Sequence, residues 1–80
     1  MKLPRDLSGE KLAYALRSLG YEMTRQSGSH MRLTTQQAGE HHVTVPRHPF
    51  LKLGTLSELL NDVGRHHRLS REALLSKLFD

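Results

Sequence analysis

Apolar residues recur along the chain in two rhythms, one helical and one strand-like, with glycines between them. Leu12, Leu16 and Leu19 lie three and four residues apart, the one-sided stripe of an amphipathic helix. Ser8 ahead of them suits an N-cap, Glu10 complements the helix dipole, and Gly20 suits the left-handed residue that ends a helix. The rhythm then shortens to two. In YEMTRQ (21–26), HMRLTT (30–35) and HHVTVP (41–46), apolar positions alternate with polar ones, which predicts three half-buried strands. Ser27-Gly28-Ser29 makes a three-residue loop between the first two, and QQAGE a looser link before the third. Links this short make an antiparallel meander.

Pro46-Arg47-His48-Pro49 ends the third strand, because proline has no amide hydrogen for the ladder. The helical rhythm then returns. Thr55-Leu56-Ser57-Glu58 reads as a capping box that opens a second helix, with Leu56, Leu59, Leu60 and Val63 as its apolar stripe and Gly64 as its stop. RHHR (65–68) reads as a solvated polar link, and Ser70 as the cap of a short third helix carrying Leu74, Leu75, Leu78 and Phe79. The order is α-β-β-β-α(-α). That predicts an α+β fold, a three-stranded antiparallel sheet with helices on one face, formed as a single domain over residues 1–80.

Alternation also assigns faces. Tyr21, Met23, Met31, Leu33, Val43 and Val45 share the side the helices must cover, while His30, Arg32, Thr34, His42 and Thr44 share the open side. His30 is therefore not a core histidine. If Thr34 and His42 face one another across the second hairpin, His30 falls near Pro46, which brings His48 within reach.

Composition narrows the partners. At 80 residues the chain can close one modest core, since domains near this size bury only roughly 60% of their unfolded surface. It has no cysteine, which excludes disulfides and thiolate zinc sites. The stretch MKLPRDLSGEK lacks the apolar core of a signal peptide and no run approaches a membrane span, so a cytoplasmic protein without a membrane partner is expected. Lys and Arg number 12 against 8 Asp and Glu, a formal charge of +4 with six histidines besides. A polyanion such as nucleic acid fits that balance.

The chemistry centres on His30. Imidazole titrates near neutrality, so on an open basic face it can take a proton from an RNA 2′-hydroxyl or give one to the leaving oxygen. The Gly28 amide and Ser29 can hold a phosphate or fix the ring. Read from the residues alone, the turn is equally a good turn and His30 an ordinary surface residue. Lys52, just ahead of the helix that opens at Thr55, would add charge to the free amides of a helix N-terminus. Arg32 and Arg47 are further candidates for phosphate contact, and His42 and His48 for an acid–base partner of His30. A metal site from His41, His42, His48 and Glu40 is not expected, because His41 and His42 point to opposite faces of one strand.

Over nearly its whole length the chain resembles the HicA-type (YcfA-like) toxin family. The resemblance is carried by LPRDLSGEKL, LGYEMTRQSGSHMRL, VTVPRHPFLKLGTLSELL and SREALL, with Gly28-Ser29-His30 and Lys52-x-Gly54-Thr55-Leu56 in order around a V-T-V-P strand. QQAGEHH and RHHR depart from the family pattern. The resemblance implies a double-stranded-RNA-binding-domain-like fold and a toxin of a type II toxin–antitoxin system that cleaves mRNA. It implies His30 as the catalytic residue and a HicB-type antitoxin that covers the active surface. Chemistry at a 2′-hydroxyl requires no metal, so no cofactor is expected. The alternatives are a non-catalytic RNA-binding module and a protein-interaction domain on the same scaffold.

Overall fold

The computed structural model describes residues 3–80; Met1 and Lys2, which begin the N-terminal stretch read above, lie outside it. Ser8 caps helix α1 (Gly9–Ala15) by accepting from the Lys11 amide at 3.0 Å. A 3-10 turn over Leu16–Leu19 extends the helix, and Gly20 ends it in the left-handed conformation at φ 83°. Strands β1 (Glu22–Ser27), β2 (His30–Thr35) and β3 (His41–Pro46) form an antiparallel sheet in the order β1-β2-β3. Helices α2 (Leu53–His67) and α3 (Arg71–Phe79) complete the α-β-β-β-α-α order expected from the sequence. Ser70 caps α3 through the Ala73 amide at 3.1 Å.

Alternation places the core correctly on β2 and β3. Met31, Leu33, Val43 and Val45 are buried against Leu12, Leu16, Leu56, Leu60 and Val63. Met23 departs from expectation: it is 54% exposed. It pairs with Leu33 and so faces the helix side, but α1 and α2 both pack on β3 and leave the rim strand β1 largely uncovered. Thr35 is the one buried polar core residue among those described, and its hydroxyl donates to the Leu19 carbonyl at 2.7 Å while accepting from the Gln37 amide at 3.0 Å.

Helix α2 differs from the expectation at both ends. It starts at Leu53 with Lys52 as N-cap and no side-chain cap, so Thr55 and Glu58 form no capping box and Thr55 sits inside the first turn. At the other end Gly64 does not stop the helix. It is buried within α2, where a Cβ would come within 3.2 Å of the Leu69 carbonyl oxygen, so its smallness serves close packing rather than termination. The helix runs on to His67, and Arg68 ends it in the left-handed conformation at φ 55°.

RHHR is therefore not a solvated link. Its histidines are half-buried and meet the start of β3. The His41 and His66 rings stack at 4.3 Å, and His66 Nε2 lies 3.0 Å from both the Gln37 and the Gly39 carbonyl oxygens. His41 Nε2 lies 3.2 Å from the Asp62 carboxylate. A carboxylate only accepts, so His41 donates from Nε2 and accepts from the Tyr21 hydroxyl at Nδ1. The Tyr21 oxygen then accepts from His67 Nε2–H at 3.1 Å. The two stretches that departed from the family pattern thus pack against each other.

Candidate nucleic-acid interface

Ser27 pairs directly with His30, so the loop between β1 and β2 is Gly28-Ser29, two residues rather than the three expected. Gly28 has φ 58° while Ser29 does not have a positive φ, the signature of a type II′ hairpin turn. Nothing lies within 4 Å of a Cβ built at Gly28, so glycine is required there for its backbone angle alone. On its other side His30 pairs with Pro46, and the Arg47 amide donates to the Ser29 carbonyl, carrying the ladder into the turn. The Gly9 amide in turn donates to the His48 carbonyl at 2.9 Å. The backbone of His30 is thereby held from both flanks while its side chain stands exposed.

The open face is organised in rows. Ser27, His30 and Pro46 form the first, beside the turn. On strict alternation the second would contain Thr24, Arg32 and Thr44, with Arg25 on the helix side with Met23. A bulge changes this. Met23 pairs with Leu33 but Arg25 with Arg32, so Thr24 is an extra residue and parity reverses after it. Arg25 therefore joins Arg32 on the open face, and Gln26 takes the helix side opposite Met31. Sequence reasoning missed Arg25. The available signal was a charged residue at an apolar-parity position, which a bulge reconciles.

The third row is closed on itself. Thr24 Oγ1 and Thr34 Oγ1 are 2.9 Å apart, Thr34 Oγ1 lies 2.7 Å from His42 Nδ1, and His42 Nε2 lies 2.8 Å from the Glu40 carboxylate. Polar groups there satisfy one another, whereas no carboxylate among the described residues lies within 4 Å of Arg25 or Arg32.

A family model described as HicA toxin of bacterial toxin–antitoxin matches residues 9–65, from the start of α1 through the whole sheet to the last turns of α2. The chain belongs to the HicA toxin family. The match ends just short of His66 and His67. No curated protein and no solved structure matches the chain. No helix among the described residues is long and apolar enough to cross a membrane.

The other candidate residues of this HicA-family chain fall at different distances from the turn. Thr34 does face His42, as the expected register required. His42 then lies four residues along β3 from the partner of His30, about 13 Å at strand rise, and both its ring nitrogens are engaged. The structure does not bring it to His30. His48 is exposed two residues past Pro46. Arg47 shares parity with Val43 and Val45 and extends to the helix side, where its guanidinium lies 3.5 Å from the Glu10 carboxylate. Only its backbone joins the turn. Lys52 is exposed at the N-cap of α2, whose first amides have no side-chain cap.

Proposed function

We propose that this toxin is an endoribonuclease that cleaves mRNA with His30 as its proton-transfer residue. The reading rests on one observation above the others: an exposed imidazole on a backbone paired on both sides, at the mouth of a two-residue turn. Acid–base transfer needs heavy atoms within roughly 2.6–3.2 Å, and a ladder-held backbone limits how far the ring can stray. In the reaction His30 takes the proton of a 2′-hydroxyl as that oxygen attacks the adjacent phosphorus, or returns one to the 5′-oxygen as its bond to phosphorus breaks. The Gly28 and Ser29 amides would bear on the phosphate, and Arg32, one row along the open face, would bind the RNA strand beside it. Arg47 would anchor the turn, and Lys52 with Thr55 at the opening of α2 would hold a more distant phosphate. His48 is better placed than His42 to act as the second acid–base group.

A HicB-type antitoxin, in this reading, silences the toxin by covering the open face of the sheet. The deciding experiment expresses the chain alone and follows growth and mRNA, with His30→Ala beside it. The wild type should arrest growth with loss of mRNA. The variant should melt within about 0.5 kcal/mol of the wild type, as an exposed position allows, keep RNA binding, and lose on the order of 10²–10⁴ in cleavage rate. A variant that melts normally and cleaves at the wild-type rate removes His30 from the mechanism. Binding of RNA without cleavage by the wild type would favour the non-catalytic module instead.

A further inference from the structure

Arg25 and Arg32 stand directly opposite each other on neighbouring strands. Like charges in that position destabilise a sheet, and directly opposed residues have Cβ atoms only about 4.5–5.5 Å apart. No acidic side chain among the described residues offsets them within 4 Å, although Glu22 lies on β1 and Glu40 just ahead of β3. Glu40 is turned to His42 instead. The pairing follows from the bulge at Thr24; with the Met23–Leu33 register continued unbroken, Thr24 would stand opposite Arg32 and Arg25 would turn to the helix side opposite Met31. Two guanidinium groups carried on directly opposed residues, without a carboxylate beside them and each able to fork onto two oxygens, suit a shared phosphate.

The position of that site relative to His30 gives it meaning. Rows on one face of a strand are two residues apart, about 7 Å, which is close to the spacing of successive phosphates along a ribonucleotide strand. On the far side the Thr24–Thr34–His42–Glu40 chain binds itself and ends in a carboxylate, so the cationic strip stops there.

Resting on the reading of the chain as an RNA-cleaving toxin, we propose that Arg25 and Arg32 together clamp a single RNA phosphate. It is the one next to the phosphate presented to His30, and the clamp sets the register in which the strand is cut. Arg25 is a binding and positioning residue here, and the proton chemistry stays with His30. Because the two guanidinium groups share one phosphate, their effects are coupled rather than additive.

The test uses the full chain, a short single-stranded RNA of mixed sequence, and the variants Arg25→Ala, Arg32→Ala, the double variant and Gln26→Ala. Each arginine variant should weaken binding about tenfold at low salt, with the double variant little worse than the weaker single. The slope of log affinity against log salt should fall by about 0.7, the value for one phosphate on a single strand. Gln26→Ala should bind as the wild type does. The arginine variants should melt at the same or a higher temperature, since a repulsion is relieved, and a merely structural role would lower it.

A second arm places a neutral methylphosphonate next to the mapped cleavage point. It should slow the wild type markedly on one side of that point and leave Arg25→Ala no slower than with ordinary RNA. Additive losses with a slope change of about 1.4 would mean two separate phosphates and overturn the clamp. Unchanged RNA affinity with weakened antitoxin binding would assign the pair to the protein partner and overturn it too. A wild type that neither binds nor cuts RNA would instead remove the functional reading on which the clamp rests.

Discussion

The Tyr21 hydroxyl lies 2.7 Å from His41 Nδ1, and the same oxygen is 3.1 Å from His67 Nε2. One fully buried phenol thus joins the start of the sheet to the end of α2. Burial, with the nearby Asp62 charge adding to it, pushes the phenol above its ordinary range and keeps it protonated. Tyr21→Phe keeps the ring and removes the bridge, leaving His41 Nδ1 without its donor and His67 Nε2 without its acceptor. The variant should lose about 1–3 kcal/mol of stability, read by urea titration, while RNA cleavage at permissive temperature stays close to wild type.

The same cluster sets a pH dependence. Burial first, then the neighbouring His66 and His41, hold the His67 imidazole below its ordinary value of 6.5. As pH falls below that value the unfolded chain takes up a proton that the folded chain refuses. The unfolded state then binds more protons, so stability falls with falling pH from about 6.5 down to the depressed folded value. Melting temperatures measured from pH 7.5 to 5 should drop through this window, and His67→Gln should flatten the drop. A wild-type profile that rose on acidification would contradict the neutral assignment.

Gly9 links the fold to the turn that carries His30. A Cβ there would sit 1.9 Å from the Pro46 carbonyl oxygen, and Pro46 is the cross-strand partner of His30. Gly9→Ala should force β3 and α1 apart, at a cost of about 1–3 kcal/mol. Its cleavage rate, measured below its melting point, should fall although no atom of His30 has changed. Crystallography or amide chemical shifts around residues 28–30 would locate the displacement.

Antitoxin binding offers a check of the open face from another direction. Hydrogen exchange on the toxin–antitoxin complex should show added protection over residues 28–34. Protection confined to α2 and α3 would mean that inhibition acts from a distance, without covering His30.

Much of this was legible in the chain itself. Leucines at helical spacing, the alternation of HMRLTT and HHVTVP, and the caps Ser8 and Ser70 led to the right elements, because each is a local preference that packing reinforces. The His30–Pro46 register followed from pairing Thr34 with His42. What escaped were features decided by neighbours distant in sequence. Gly64 resembles a helix stop, yet contact with the Leu69 carbonyl explains it better. RHHR is polar enough for a link, and only the approach of Tyr21, His41 and the 36–40 loop makes it worth keeping helical. Thr55 and Glu58 match a capping box, but Leu53 and Gly54 extend the helix ahead of them. Arg25 was hidden because alternation assumes an unbroken ladder, and one extra residue reverses it.

A strand at the rim of a sheet is a template onto which another chain can add, and β1 borders the sheet with its outer backbone groups unmatched by any other strand among the described residues. The extra residue at Thr24 bends and twists that border, and the strand carries an outward arginine beside it. An incoming copy would meet a curved edge and a like charge, both of which discourage sheets from growing one onto the next. The irregularity that turns Arg25 to the open face therefore also works against a second copy adding onto the sheet along β1.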